Sequence, residues 1–209
     1  MKDQGKYNWL DMARRLQAVA QSGLTYSENK YDRDRYEQIR ALSLEIMERF
    51  TQLPMQQLID VFASEKGYQT PKVDVRGVVF REDKILMVRE TIDGNWSIPG
   101  GWADVGLTPF EVAAKEVWEE SGLKVVPVKL LAVLDKKCHA HPPDLYHIYK
   151  IFVRCEETGG ALVNGMETCD SGFFGLHELP PLSTPRITED QIRLLFEYKN
   201  NPDLPAMCD

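Results

Sequence analysis

The chain has 209 residues, of which 43% are hydrophobic and 27% charged, with a formal net charge of −7 and a pI near 5.2. This length and composition support a full hydrophobic core and exclude an intrinsically disordered chain. The acidic balance argues against broad, sequence-independent binding to nucleic acid, which requires a basic surface. No apolar run reaches the length of a membrane span and the charged N-terminus lacks a secretory signal, so we expect a cytoplasmic protein.

The first part of the chain has helical periodicity only. Apolar residues recur at helical spacing in three stretches, which predicts three helices. These residues are Trp9, Met12, Ala13, Leu16, Val19 and Ala20; Tyr36, Ile39, Leu42, Ile46 and Phe50; and Met55, Leu58, Ile59 and Phe62. A unit of this size buries little core by itself and gains from packing on a partner. We therefore predict that residues 1–66 form a helical domain that makes a homodimer.

The pattern changes near residues 66–72, and residues 67–209 are predicted to form a second domain. Short β-rich runs separated by turn residues predict strands, beginning with a hairpin. The predicted strands cover residues 73–80, 85–88, 123–134, 145–154 and 172–176. Thr188 and Gln191 have the spacing of a capping box, which predicts a C-terminal helix that ends near Asn200. This order of elements predicts an α/β fold.

A further helix is predicted in the middle of the second domain. Thr108 is a favourable N-cap, Pro109 suits the first helical position, and Glu111 is placed to complete a capping box. Gly122 supplies the C-terminal stop. The predicted apolar face contains Phe110, Ala113, Ala114 and Val117. One face of this helix is thus expected to pack on the core while the other presents acidic residues.

Glu116, Glu119 and Glu120 lie within five positions of that helix. Residues three and four apart share a helix face, so their carboxylates can converge, and they repel one another unless a cation lies among them. Hard oxygen ligands favour Mg²⁺, with Mn²⁺ as a substitute. The plain alternative is a solvated acidic face. The glycine pair Gly100–Gly101 before the capped helix, and the glycine that ends it, favour the metal site.

The run GGWADVGLTPFEVAAKEVWEESGL, residues 100–123, resembles the signature box of the Nudix hydrolases, G-x5-E-x7-R-E-U-x-E-E-x-G-U, where U is aliphatic. The matching residues are Gly101, Glu116, Val117, Glu119, Glu120, Gly122 and Leu123. Two positions depart, since Leu107 replaces a Glu and Lys115 replaces an Arg. In the family this Glu and Arg help to hold the loop against the helix, so the brace is altered. Lys115 keeps the positive charge, and Glu111 four residues earlier is in the favourable order for an ion pair.

The resemblance implies an α/β/α sandwich with a mixed sheet over about residues 72–200. The N-terminal run also resembles a bacterial subgroup that hydrolyses nucleoside diphosphates linked to another moiety X, of the CDP-choline or ADP-ribose type. The implied reaction is Mg²⁺-dependent hydrolysis of the pyrophosphate bond to a nucleoside monophosphate and phospho-X. The implied metal ligands are Glu116, Glu119, Glu120 and, by family analogy, the backbone carbonyl of Gly100.

Such a reaction requires a general base within hydrogen-bond reach of the attacking water. Either a box glutamate, Glu119 or Glu120, or a carboxylate from a later loop could act as this base. Glu167 is our candidate from the later loop, because it lies in the polar segment NGMETCDSG just before a predicted strand. The alternative is that Glu167 is an ordinary loop carboxylate.

Candidate substrate contacts lie on strands and on one loop. Arg76 and Arg89 are placed to grip phosphate, or else to form structural ion pairs. Trp96 stacks on a base or packs in the core, with the core favoured. His139 belongs to a loop for which three alternatives stand. The loop contacts the nucleotide, it holds a transition metal, or it is a mobile surface loop without a role. The other polar residues of this loop are Asp135, Lys136, His141, Tyr146 and His147.

Two other functions remain open at this point. An RNA-end-processing or exonuclease-type hydrolase would use the same metals on a longer phosphate chain, although the acidic surface disfavours it. A nucleotide-sensing module would keep the fold without turnover, and it would be expected to lose metal ligands that this chain retains. Turnover separates the enzymes from the sensor.

Overall fold

The computed structural model describes residues 4–63 and 67–209, with side chains from residue 9 onward and without that of residue 63. The chain divides into two units. Unit 1 consists of Met1–Pro71 and Pro143–His147, and unit 2 of Lys72–Pro142 and Ile148–Asp209. The domain boundary predicted at residue 66 falls outside the described residues. None of the helices in the described ranges is long and apolar enough to cross a membrane.

Unit 1 is helical, as predicted. Its helices are α1 (Gln4–Tyr26), α2 (Lys30–Thr51) and α3 (Met55–Ala63). The Asn29 side chain caps α2 by accepting a hydrogen bond from Tyr31 N. Its buried core comprises Leu10, Ala13, Leu44, Met47, Leu58 and Phe62. The predicted apolar stripes are therefore only partly buried, and their exposed members include Trp9, Met12, Leu16, Val19, Leu42 and Ile59.

Unit 2 contains a mixed sheet. Its strands are β1 (Lys72–Arg81), β2 (Lys84–Glu90), β3 (Trp96–Ser97), β4 (Gly100–Trp102), β5 (Leu123–Asp135), β6 (Ile148–Gly160), β7 (Thr168–Phe174) and β8 (Met207–Cys208). Its helices are α4 (Pro109–Ser121) and α5 (Glu189–Asn200), with a short 3-10 turn at Lys136–Cys138. Within the described residues the strand order is β3-β2-β1-β6-β5-β8, with β4 beside β1 and β7 beside β2. The pairs β1–β6 and β5–β8 are parallel, and the other strand pairs are antiparallel.

The two faces of the sheet carry one helix each. Successive residues of a strand point to opposite faces, so β1 places Val75 on one side and Val78 on the other. Val75 packs with Val117 of α4 in one buried cluster. Val78 packs with Ile192 of α5 in a second buried cluster. This arrangement confirms the predicted α/β/α sandwich.

The predicted bounds of two strands were wrong. The strand predicted over 145–154 is β6, which begins at Ile148 and continues to Gly160, because its polar end pairs with β5. Leu145 instead packs on the core of unit 1. The strand predicted over 172–176 is β7, Thr168–Phe174, which pairs with β2 through its polar first half. Hydrophobic patterning does not detect polar strand ends, whose position is set by backbone pairing with a neighbour.

Candidate active site

The box helix α4 begins and ends where the sequence predicts. The Thr108 side chain accepts a hydrogen bond from Glu111 N, and the Glu111 carboxylate accepts one from Thr108 N at 2.8 Å, which completes the capping box. Gly122 ends the helix with a φ of 75°. The predicted apolar face needs one correction. Phe110 is 39% exposed, and Val112 is buried instead, because it is the position that faces the sheet.

The glycine turn at the start of β4 lies directly against α4. Gly100 has a φ of 152°, and a Cβ there would lie 2.1 Å from the Val75 carbonyl oxygen, so only glycine fits. Its N–H donates to the Glu120 carboxylate at 3.0 Å. A Cβ at Gly101 would lie 3.0 Å from the Glu116 carboxylate. Two of the predicted metal-binding glutamates are thus held against this turn.

Burial disfavours the ionised form of both glutamates. Glu120 is 7% exposed, and burial raises its pKa to about 8, against the opposing effects of Arg76 and the Gly100 N–H. The neighbouring carboxylates Glu90 and Glu116 raise it further. Burial also raises the pKa of Glu116. A positive charge placed among these groups would favour their ionised forms.

Lys115 places an ammonium group beside the other carboxylates of the site. Its Nζ lies 3.2 Å from Asp104 Oδ2, 3.2 Å from Glu116 Oε1 and 3.0 Å from Glu119 Oε2. Hydrogen bonds, led by that to Glu119, raise the pKa of Lys115. The predicted ion pair with Glu111 was wrong, because the Glu111 carboxylate is bound by Thr108 in the capping box.

The three box glutamates lie within five positions of α4, but their carboxylates have different partners. Glu116 and Glu119 contact Lys115, whereas Glu120 contacts the Gly100 N–H. Over the part of the chain that is described, no group of three or more His, Cys, Asp and Glu residues is arranged to hold a metal ion. The donor set itself consists of carboxylate oxygens, which suit a hard divalent cation. Assignment of these residues and the Gly100 carbonyl as metal ligands therefore stays a prediction.

The loop that carries Glu167 packs against the C-terminal end of α4. A Cβ at Gly165 would lie 2.3 Å from the Glu119 carbonyl oxygen, and the Thr168 hydroxyl donates to the Glu120 carbonyl at 2.7 Å. The Glu167 backbone is held by two hydrogen bonds from Thr91, while Glu167 itself is exposed. This loop is thus brought to the box helix, and the role of Glu167 as base stays a prediction.

Arg76 is buried in a network of charged groups. Its Nε donates to Asp74 Oδ1 at 2.8 Å and its Nη1 donates to the Ile98 carbonyl at 2.9 Å. Asp74 also pairs with the buried Lys150. Although burial opposes ionisation, Arg76 and Lys150 hold the pKa of Asp74 below its usual value, and burial lowers the pKa of Lys150 to about 8. These contacts match the alternative that Arg76 forms a structural ion pair.

The other predicted substrate contacts are spread over several elements. Arg89 is exposed, and its Nε donates to the Gly94 carbonyl at 2.8 Å. Trp96 packs edge-on against Phe174 with ring centroids 4.7 Å apart, which matches the core alternative. His139 Nε2 lies 3.0 Å from a carboxylate oxygen of Asp209. Their roles toward substrate stay predictions.

The remaining histidine of interest is His141. It is buried, its Nδ1 donates to the Thr184 carbonyl at 2.7 Å, and burial lowers its pKa to about 4. The transition-metal alternative for this loop therefore stays a prediction.

Sequence reasoning missed Glu90 and Asp104. Glu90, at the end of β2, is 4% exposed and forms an ion pair with Arg186 at 3.0 Å. Burial raises the pKa of Glu90, although the charges of Arg186 and Arg76 oppose that rise. Glu90 stands 26 positions before the box glutamates begin, and no local motif links them. Asp104 lies inside the box but at a position that the signature leaves open.

Comparison with known proteins agrees with this geometry. Residues 7–62 match the family model described as the UDP-X-like, N-terminal oligomerisation domain, and residues 70–196 match that of the NUDIX domain. A Bacillus subtilis protein with the provisional name ADP-ribose pyrophosphatase is 47% identical over 201 residues, covering 96% of this chain and 97% of its own length.

Two solved structures resemble the chain. An ADP-ribose pyrophosphatase from Streptococcus suis is 41% identical with a TM-score of 0.62, covering 67% of this chain and all of its own. A UDP-X diphosphatase is 30% identical with a TM-score of 0.63, covering 98% of this chain and 99% of its own. With its domain model, full-length relatives and signature box, the chain belongs to the Nudix family and is a Nudix pyrophosphohydrolase with the N-terminal domain of the UDP-X-like group.

Proposed function

We propose that this enzyme hydrolyses the pyrophosphate bond of a nucleoside diphosphate linked to a second moiety X, giving a nucleoside monophosphate and phospho-X. The observation that carries this proposal is the contact between the glycine turn and α4, which holds Glu116 and Glu120 against Gly101 and Gly100. ADP-ribose and CDP-choline are the proposed types of substrate. Similarity to proteins named for ADP-ribose and UDP-X supports this class.

Nudix hydrolases generally use divalent metals such as Mg²⁺. We propose that Glu116, Glu119, Glu120 and the Gly100 carbonyl hold Mg²⁺ in this chain, with Mn²⁺ as a substitute. A bound divalent cation supplies positive charge that offsets the diphosphate and acidifies a water molecule. The carboxylate of Glu120, whose pKa is raised to about 8 by burial, would lose its proton as that charge arrives.

The remaining chemistry requires a base and a fixed substrate. Water attacks one phosphorus, the bond to the bridging oxygen breaks, and the proton released by the water passes to a carboxylate. Glu167 is the proposed base because its loop packs on the end of α4 and Glu167 itself is exposed to solvent. Glu119 or Glu120 is the alternative base. The proposed substrate contacts are Arg89 and His139. Arg76 and Trp96 are the second candidates, because their contacts match the structural and core alternatives.

We propose that the chain forms a homodimer through its N-terminal helices. Trp9, Met12, Leu16 and Val19 recur along α1 and are 52%, 41%, 39% and 57% exposed. Spacings of three and four residues place them on one helix face. An exposed apolar stripe of this kind is typical of an interface between protein chains. The match of this region to an oligomerisation domain supports a second copy as the partner.

The first experiment is product analysis by chromatography after incubation with Mg²⁺. The panel contains ADP-ribose, CDP-choline, a UDP-sugar, a dinucleoside polyphosphate, a nucleoside triphosphate and short RNA. The Glu119→Gln/Glu120→Gln variant is the control. We expect one nucleoside diphosphate derivative to be cleaved to a nucleoside monophosphate and phospho-X, and the variant to lose this activity.

Two results would contradict the proposal. Shortening of RNA without cleavage of any small substrate would support the RNA-processing alternative. Nucleotide binding without cleavage, measured by calorimetry, would support a sensing module.

A further inference from the structure

The loop between β4 and α4, residues 103–108, contacts the box helix through an ion pair that the family signature does not specify. Asp104 Oδ2 lies 3.2 Å from Lys115 Nζ. Asp104 and Leu107 stand at the two ends of one turn, because Leu107 N donates to the Asp104 carbonyl at 3.2 Å. The Leu107 side chain has no group that can bind an ammonium. Asp104 is therefore the residue of this turn that reaches the helix with a charge.

Lys115 connects this loop to two of the predicted metal ligands. Its ammonium also contacts Glu116 and Glu119, at 3.2 and 3.0 Å. A divalent cation bound by these glutamates would repel the ammonium and compete with it for the same oxygens. Asp104 offers Lys115 a carboxylate outside the three box glutamates. The Lys115 ammonium could therefore stay paired with Asp104 if Glu116 and Glu119 bound a divalent cation instead.

We propose that Asp104 replaces the glutamate that the Nudix box has at position 107, so that the Asp104–Lys115 pair braces the loop and positions Glu116 and Glu119 for a divalent cation. This inference rests on the proposed function, because it takes α4 to be the metal-binding helix. Asp104 and Lys115 are positioning residues, since they act through the glutamates.

The exposure of the pair sets the expected effects. The side chains of Lys115 and Asp104 are 35% and 52% exposed, and exposed ion pairs contribute little to overall stability. Partners that orient metal ligands, however, commonly change metal affinity by about 10-fold to 100-fold. Because this brace is partly solvated, we expect a change of about tenfold, at the lower end of that range. Loss of the brace should thus weaken metal binding without unfolding the protein.

The test measures Mn²⁺ binding to the full-length protein without substrate, by the electron paramagnetic resonance signal of free Mn²⁺. Asp104→Ala should bind Mn²⁺ about tenfold more weakly than the natural chain. Adding Leu107→Glu to this variant should restore the affinity. Asp83→Ala is the matched control. Asp83 lies in the β1–β2 turn and pairs with Lys199 of α5, so the variant removes the same charge and another Asp–Lys pair. Its affinity should not change.

The possible results are distinguishable. Equal Mn²⁺ affinity in Asp104→Ala and the natural chain would overturn the brace and leave the proposed function intact. A loss that Leu107→Glu does not restore would also overturn it, because Asp104 would then act by another route. Absence of Mn²⁺ binding in the natural chain would instead refute the proposed metal site, before any variant is compared. Thermal unfolding of each variant checks that the protein is folded.

Discussion

The buried carboxylate of Glu120 should make the stability of the metal-free enzyme depend on pH. Its pKa is raised from an ordinary value of 4.5 to about 8, chiefly by burial. Between these values the folded protein holds a proton that the unfolded chain has released. The contribution of Glu120 to the free energy of unfolding is therefore fully present below about pH 4.5. It falls as pH rises and is lost by about pH 8.

The size of the effect follows from the two pKa values. At about 1.4 kcal/mol per pKa unit, a rise from 4.5 to about 8 corresponds to at most about 5 kcal/mol. Partial access of water reduces this figure, so we expect about 2 to 5 kcal/mol. Glu120→Gln keeps a neutral side chain of the same shape at every pH. The variant should therefore gain this amount relative to the natural chain between pH 5 and pH 8.

The assay is urea unfolding in the presence of EDTA at several pH values from 5 to 8. Glu119→Gln is the matched control, because it removes the same charge from a side chain that is 46% exposed. Its stability should follow that of the natural chain. Saturating Mn²⁺ should flatten the pH dependence of the natural chain, because the cation favours ionised Glu120. Parallel curves for the natural chain and Glu120→Gln would refute the reasoning.

Three further predictions concern other parts of the molecule. Asp74→Asn leaves the buried Lys150 without its carboxylate and should destabilise the protein by about 3 to 5 kcal/mol in urea unfolding; an equally stable variant would contradict the buried pair. Gly165→Ala places a Cβ 2.3 Å from the Glu119 carbonyl, so it should destabilise by about 1 to 3 kcal/mol and lower kcat, with an unchanged kcat as the contrary result. Leu16→Glu puts a charge into the exposed stripe of α1 and should shift the mass measured by light scattering toward the monomer; an unchanged dimer mass would exclude this face.

Local features of the fold were predictable because the interactions that set them connect near neighbours. Thr108 and Glu111 are three residues apart, and the same spacing in Thr188 and Gln191 forms the capping box of α5. Helix periodicity likewise depends on residues three and four apart. The sequence alone therefore determined where α4 and α5 begin, and that the box glutamates lie side by side.

The tertiary structure decided which partner each of these groups has. Glu120 is buried and bound by the Gly100 N–H, whereas Glu119 is half-exposed and paired with Lys115, although the two are adjacent in sequence. Asp74 and Lys150 are 76 residues apart and meet because β1 and β6 are neighbours in the sheet. Burial and long-range contacts depend on how the strands are ordered and how the loops pack. No spacing in a single sequence contains that order, so these charges could be assigned only from the folded chain.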